Sequence, residues 1–183
     1  KVVFAFTPGY TRFFSHVRTE NMVRLDTPSR QLLLSLFDRL AKAYAENLAM
    51  ISPGQSKPAK DGEADVLEAG PIYVHSKVTL VDDRVGMVGS ANLNGRSLRW
   101  DTEASVMFRR PEDVKALRER LAKIWLGPRL GAQSTTSART WRQAALANAA
   151  LEPSEREGFV LPYPSASGKD FSRRVPVLPD DMF

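Results

Sequence analysis

Cysteine is absent from the sequence of 183 residues, and histidine occurs only twice. The absence of cysteine excludes disulfides, thiolate metal sites and a cysteine nucleophile, and it leaves the redox compartment open. No apolar run is long enough to cross a bilayer. No signal peptide is apparent either, because the chain opens on Lys1 and passes through a short apolar stretch into Thr7, Pro8 and Gly9.

The chain also begins without a Met, in residues 2–6 that are typical of a buried strand. We expect the sequence to be a piece of a longer protein, so that any targeting signal could have been lost with the missing part. The localisation is therefore left open between soluble and peripheral membrane.

The composition is that of an ordinary soluble domain, with 43% hydrophobic and 26% charged residues. The net charge of +5 would suit an anionic partner, such as phospholipid head groups or nucleic acid. Because the 26 basic and 21 acidic residues are mostly interspersed, however, solubilising surface charge explains the balance better. The length allows one domain with a substantial core.

The segment 73–103 concentrates the polar groups that chemistry needs. Tyr73 to Val81 is rich in β-branched and apolar residues and predicts a strand, on which His75 and Lys77 share a face about 6.6 Å apart. Asp82 to Arg84 predicts a tight turn, and Val85 to Val88 the returning strand. The hairpin therefore gathers an imidazole, an ammonium, a hydroxyl and an amide, carried by His75, Lys77, Ser90 and Asn92.

The spacing of these residues forms a signature, His75-x-Lys77-x4-Asp82-x6-Gly89-Ser90-x-Asn92. It resembles the HKD signature of the phospholipase D superfamily at every specified position. The flanking residues, among them Ile72-Tyr73-Val74 and Arg96-Ser97, look like the second repeat, in the C-terminal half, of two-repeat bacterial phospholipases D and cardiolipin synthase-like enzymes. The resemblance extends over about Leu67 to Leu126. It implies an α/β fold, a phospholipase D-like lobe with a mixed β-sheet flanked by helices.

The residue types fit covalent cleavage of a phosphodiester, which needs a nucleophile, an acid for the leaving alkoxide and positive charge around the phosphoryl oxygens. An imidazole such as that of His75 can attack phosphorus or supply the proton. Lys77 would balance charge on the non-bridging oxygens, and Ser90 and Asn92 would add hydrogen bonds to the bound phosphate.

The resemblance also implies roles for two acids. Glu103 would hold the second ring nitrogen of the catalytic His75, as an acid at the start of the next strand does in related enzymes. Asp82 belongs to the catalytic signature, although its place in a turn indicates a structural role. No carboxylate–histidine cluster suited to a metal is apparent, so we expect neither a metal nor another cofactor.

One copy of the motif supplies one histidine, whereas the mechanism of the superfamily uses two. The resemblance implies that a second HKD unit completes the site, either in the N-terminal part of the same protein or in an identical subunit. We favour the former. By analogy with the second-repeat histidine of two-repeat enzymes, His75 would act as the general acid and base. The alternative that His75 is the nucleophile stays open.

The leading interpretation is a phospholipase D-type phosphodiesterase or phosphatidyltransferase with a phospholipid substrate and a possible peripheral membrane contact. The alternatives are a cardiolipin synthase-like transferase, a metal-independent HKD nuclease and a non-catalytic lipid-binding scaffold. Nucleic acid is not the expected partner, because a dense basic stripe with interleaved aromatics is missing and the chain extends well beyond the motif.

Residues 1–152 are predicted to form the catalytic lobe and residues 153–183 a Pro-rich tail packed on it. We expect core-facing side chains in two later helices, namely Val114, Leu117, Leu121, Ile124 and Trp125 in the first and Trp141, Ala145 and Leu146 in the second. The elements predicted in the lobe outside the hairpin are a strand over 2–6, a helix over 28–50, an exposed loop over 52–70, a strand over 103–109, and helices over 111–126 and 138–151.

Overall fold

The computed structural model describes residues 2–5, 39, 42–61, 65–72, 74–92, 95–131 and 134–163. Most of the helix predicted over 28–50 and residues 164–183 of the predicted tail lie outside these ranges. The described residues form a mixed α/β structure, which confirms the predicted fold class. The strands are divided between two sheets rather than joined in one.

The elements follow one another in a mixed order along the chain. The strands are β1 (Val2–Ala5), β2 (Leu48–Pro58), β3 (Ala69–Pro71), β4 (Lys77–Val81), β5 (Val85–Gly89), β6 (Ser105–Phe108) and β7 (Val160–Pro162). The α-helices are α1 (Gly95–Arg99), α2 (Pro111–Leu126) and α3 (Ala138–Ala149). Short 3-10 turns cover Ala45–Asn47, Gly127–Leu130 and Pro153–Glu155.

The first sheet is built around β2, which pairs in parallel with β1 and antiparallel with β3 and β7. The prediction of an exposed loop over 52–70 is therefore wrong at its beginning, because residues 52–58 belong to β2. Gly54 instead donates its N–H to the Phe159 carbonyl at 2.8 Å and lies against Leu161, whose Cδ1 would be 2.5 Å from any added Cβ. Glycine thus permits a close approach of two strands here rather than a turn.

The end of the predicted helix over 28–50 is also wrong. Residues 42–44 are helical, but a 3-10 turn follows and β2 begins at Leu48. Apolar residues near this boundary fit a helical stripe and a buried strand equally well. Pairing with β1 and β7 decides between them, and Ile51 is 1% exposed as a result.

The main core lies where β2 and β7 meet α2 and α3, and it contains Ile51, Leu126, Trp141 and Val160. The predicted bounds of α2 are confirmed, while α3 ends at Ala149, two residues before the predicted end. Val114, Trp141 and Ala145 are buried as predicted. Ile124 and Leu146 were predicted to face the core and are 48% and 56% exposed, because the helices bury a narrower stripe than their apolar pattern indicates.

Residues 153–163 of the predicted tail lie within the first sheet and its surroundings. Val160 and Leu161 of β7 are 0% and 2% exposed, so this part is a core strand rather than a surface extension. The side-chain amide of Asn148 supports it by donating to the carbonyls of Glu157 at 2.8 Å and Val160 at 3.0 Å.

The second sheet is an antiparallel meander of β4, β5 and β6. The strand predicted over 73–81 begins only at Lys77, and the strand predicted over 103–109 is Ser105–Phe108. Gly86 is the one buried residue of these three fully described strands. It pairs with Phe108, whose ring occupies the space that a side chain at position 86 would need.

Replacing Gly86 by Ala is expected to lower the free energy of unfolding by about 1–3 kcal/mol, the usual cost of overpacking. The added Cβ would overlap the Phe108 ring, which would have to leave its place against β5. Urea denaturation checks this value. In a Phe108→Ala background the same substitution should cost much less, and an equal cost in both backgrounds would contradict the steric explanation.

Candidate active site

Five of the six predicted site residues lie at or close to one edge of the second sheet. Lys77 pairs with Gly89, and Gly89 pairs with Ser105, so the three residues lie in line across the sheet. Because neighbouring strands are antiparallel and about 4.8 Å apart, the start of β4, the end of β5 and the start of β6 share this edge within about 10 Å. We call it the catalytic edge after the role predicted for five residues that lie on it or within three residues of it in the chain, namely His75, Lys77, Ser90, Asn92 and Glu103.

Ser90 and Glu103 are in direct contact at the catalytic edge. The hydroxyl of Ser90 donates to Oε2 of Glu103 at 2.5 Å. The Oγ of Ser90 also accepts the N–H of Ala104 at 3.0 Å. The backbone N–H of Ser90 donates to the carbonyl of Ala104 at 3.0 Å. Ser90 therefore fixes the start of β6 and the carboxylate of Glu103 together.

His75 lies two residues before β4 rather than inside it. The strand-face argument that placed His75 beside Lys77 is therefore wrong, although the two residues remain neighbours in the chain. The physical reason is that the β4–β5 ladder ends at the Lys77–Gly89 pair, beyond which Ser90 bonds to Ala104. The residue His75 is exposed to solvent, and Lys77 and Asn92 are partly exposed.

Asp82 is the one predicted site residue that the structure does not bring to the catalytic edge. It lies in the β4–β5 turn, about 16 Å along the strand from Lys77. The φ angles of Asp82 and Asp83 are both 51°, and the N–H of Arg84 donates to the Val81 carbonyl at 2.9 Å. This is the geometry of a primed hairpin turn, in which Asp tolerates the left-handed backbone.

Asp83, its neighbour, was missed by sequence reasoning. Its carboxylate accepts Nε and Nη2 of Arg118 in α2, both at 2.7 Å, in a bidentate ion pair. The hydrogen bonds from Arg118 hold the pKa of Asp83 below its ordinary value, while partial desolvation opposes them and the charges of Arg118 and Lys115 add to the lowering. An Asp-Asp doublet in a turn gives no local signal that a helix 35 residues away supplies the partner.

The Asp83–Arg118 pair gives stability a specific pH dependence. Because the folded-state pKa of Asp83 is lowered, its contribution is complete above the ordinary value of about 3.9 and is lost as the pH falls through the folded-state pKa. At pH 7 the wild type should exceed Asp83→Asn in unfolding free energy by about 1 kcal/mol. Denaturation of both proteins from pH 7 to pH 2 should show this difference shrinking below about pH 4. A difference that widens on acidification would refute the sign.

Within the described residues, no group of three or more His, Cys, Asp or Glu side chains is arranged to hold a metal ion. Within the same part of the chain, no helix combines the length and apolar character needed to cross a membrane.

Comparison with known proteins relates the same segment to a domain family and to curated relatives. Residues 35–125, which include the whole catalytic edge, match the domain family described as "Cardiolipin synthase, PLD-like domain". The chain is also 44% identical over 46 residues to Phospholipase D C of Dictyostelium discoideum and 44% identical over 66 residues to Phospholipase D zeta 1 of Arabidopsis thaliana. Both findings support the phospholipase D superfamily.

The phospholipase D superfamily is supported by partial matches. A further relative, Phospholipase D1 of Schizosaccharomyces pombe, is 44% identical over 45 residues. The Arabidopsis match covers 32% of this chain and 6% of that relative. The Dictyostelium and Schizosaccharomyces matches each cover 25% of this chain and 3% of the relative. The support for the phospholipase D superfamily therefore concerns the matched PLD-like segment, and the chain spans only a small part of the length of these relatives.

Proposed function

We propose that this chain is one lobe of a phospholipase D-type enzyme that hydrolyses or exchanges phospholipid head groups through a phosphohistidine intermediate. The observation that carries the proposal is the register of the second sheet, which aligns Lys77, Gly89 and Ser105 and so gathers the polar groups at one edge. A phosphodiester at this edge would meet an imidazole, an ammonium and an amide together. A second HKD unit would face it and complete the site.

The reaction needs two imidazoles with complementary protonation. One neutral ring attacks phosphorus and forms an N–P bond, while the P–O bond to the head-group alcohol breaks. The other ring, protonated, gives its proton to the leaving alkoxide. In the second step the now neutral ring takes a proton from water or an alcohol, whose oxygen attacks phosphorus and displaces the first histidine. His75 is one of these two rings, and the facing unit supplies the other.

Lys77 and Asn92 would stabilise the charge that develops on the non-bridging oxygens. Lys77 sits in the strand ladder opposite Gly89, and its fixed backbone limits the positions that its ammonium can reach. A preformed positive charge that needs no reorganisation during the reaction lowers the barrier more than a mobile one. Asn92 adds an N–H donor at the same edge.

Ser90 and Glu103 would act as a pair. A hydroxyl has one proton to donate, and that of Ser90 goes to Glu103 at 2.5 Å. Contact of this hydroxyl with a phosphate as a donor would therefore require release of Glu103, and Ser90 remains a predicted phosphate ligand on that condition. Held in this way, Glu103 would orient the imidazole of His75 at the catalytic edge.

The proposal is tested by head-group release from phosphatidylcholine by the protein in its native assembly, with EDTA present. We expect choline release, and we expect added ethanol to divert the product from phosphatidic acid to phosphatidylethanol, since both alcohol and water can accept the phosphatidyl group. Absence of release from choline, ethanolamine and glycerol phospholipids would refute the proposed function, and degradation of plasmid DNA in the same buffer would favour the nuclease.

A cardiolipin synthase-like transfer is the second candidate, favoured by the description of the matching domain family. In that reaction a second phosphatidylglycerol molecule supplies the acceptor alcohol. Vesicles of phosphatidylglycerol would then yield cardiolipin and free glycerol, whereas a hydrolase would yield phosphatidic acid and glycerol. Mass spectrometry of the lipid products separates the two outcomes.

A further inference from the structure

Within the described part of the chain, the second sheet buries few of its side chains completely. Gly86 is its one buried residue, and the main core is formed by β2, β7, α2 and α3. Val78, Val88 and Val106, which align across the three strands, are 37%, 38% and 69% exposed. Among the described residues, polar contacts between this sheet and the main core therefore bear on the position of the catalytic edge.

One chain of polar contacts connects the β4–β5 turn to the main core. Arg118 binds Asp83 through two nitrogens at 2.7 Å, and its third nitrogen donates to the hydroxyl of Thr135. The carbonyl of Thr135 accepts the indole N–H of Trp141 at 3.0 Å, and Trp141 belongs to the main core. Three separate segments of the chain thus meet at one guanidinium. We call this set of contacts the latch, and it consists of Asp83, Arg118, Thr135 and Trp141.

The geometry of the latch gives it more orientational control than a surface ion pair. The Arg118 side chain is 16% exposed and that of Asp83 is 35% exposed, so both are partly shielded from water. Two parallel N–H to oxygen bonds fix the direction of the carboxylate as well as its distance, which a lysine ammonium cannot do. Asp83 itself lies in the primed turn between β4 and β5, so the backbone of this turn fixes the direction of the hairpin relative to the Asp83 carboxylate.

We propose that Asp83 and Arg118 are positioning residues for the catalytic edge, acting through the β4–β5 hairpin and without contact to the substrate. The inference rests on the proposed function for its activity readout. The turn lies about 16 Å from Lys77, and a hairpin tilt of about 5° would move the catalytic edge by about 1.4 Å. Misplacement of about 1 Å at a reacting group can reduce a rate about a hundredfold.

The test uses Arg118→Lys, which keeps the charge and removes the bidentate geometry, with Arg120→Lys as its matched control. Arg120 lies two residues further along α2 and is exposed. For Arg118→Lys we expect kcat for head-group release to fall about 10- to 100-fold with KM nearly unchanged, because ground-state binding tolerates small displacements better than the transition state does. Arg120→Lys should keep both constants.

A second pair of variants separates positioning from packing. Thr135→Ser keeps the hydroxyl that Arg118 uses and should behave as the wild type, whereas Thr135→Val keeps the shape and should lower kcat severalfold. Amide hydrogen exchange provides a readout without substrate. In Arg118→Lys, amides of β4 and β5 should exchange at least tenfold faster, while those of α3 should exchange at the wild-type rate.

The outcomes distinguish this inference from the proposed function. If the wild type is active and Arg118→Lys equals it in kcat and in exchange of β4 and β5, positioning by the latch is refuted and the proposed function stands. Arg118→Lys could instead speed amide exchange equally in β4, β5 and α3 and leave kcat per folded molecule unchanged. That result would show that the Asp83–Arg118 pair only stabilises the fold, and it would also refute the inference. If the wild type releases no head group, the proposed function fails, and the exchange pattern alone decides whether the latch holds the hairpin.

Discussion

Replacement of His75 by Asn is expected to reduce the rate of head-group release at least a thousandfold, which corresponds to about 4 kcal/mol of transition-state stabilisation. Asparagine keeps a polar side chain of similar size but can neither form an N–P bond nor carry a proton at neutral pH. Residues that act as one catalytic unit fail together, so loss of either imidazole should remove nearly all covalent catalysis. Steady-state assays of phosphatidylcholine cleavage measure the effect.

The matched control is His16→Asn, which removes the other of the two histidines in the sequence. No Asp or Gly-Ser-x-Asn follows His16 at the spacing of the signature, so this variant should retain activity. If His75→Asn retained wild-type activity while remaining folded, the assignment of the catalytic edge would have to be abandoned. If both histidine variants lost activity equally, the spacing argument would fail instead.

Replacement of Lys77 by Met is expected to lower kcat about 100- to 1,000-fold, the range found when one preorganised donor to a developing oxyanion is removed. Methionine keeps the length of the side chain and its fit beside the sheet while removing the charge. Lys77→Arg should recover only part of the rate, because a planar guanidinium does not place its charge where a compact ammonium does. Lys57→Met, at an exposed position of β2, is the control for a lost surface charge.

Binding of inorganic phosphate provides a second measurement on the same variants. The dissociation constant, measured by calorimetry at low ionic strength, should rise in Lys77→Met and stay unchanged in Lys57→Met. Equal phosphate affinity in Lys77→Met and the wild type would contradict a phosphate-binding role for Lys77, whatever the change in rate.

The sequence predicts an element correctly where residues within or next to that element determine its bounds. Pro111 and two acidic residues begin α2, and Gly127 ends it, so its bounds follow from capping and dipole effects that do not depend on distant residues. The Asp-Asp-Arg turn between β4 and β5 follows in the same way. Such elements were predictable because their causes lie within a few residues.

The first sheet was hard to predict because its causes are distant in sequence. Pro53 and Gly54 are ordinary turn residues by local criteria, yet pairing with Leu161 and its neighbours makes them part of the central strand. The same limit applies to the latch, since Asp83 and Arg118 lie 35 residues apart. The residues of the catalytic edge were identified only because their spacing resembles a known signature, and the exposed position of His75 outside β4 did not follow from the strand pattern.

The stereochemical course at phosphorus tests the central claim most directly. Two successive displacements through a phosphohistidine each invert the phosphorus centre, so transfer of a chirally labelled phosphatidyl group to ethanol should proceed with overall retention. Phosphorus NMR of the isotopically labelled product reads the configuration. Retention is the result that covalent catalysis by a pair of histidines predicts, and inversion, the signature of a single direct displacement, would contradict it.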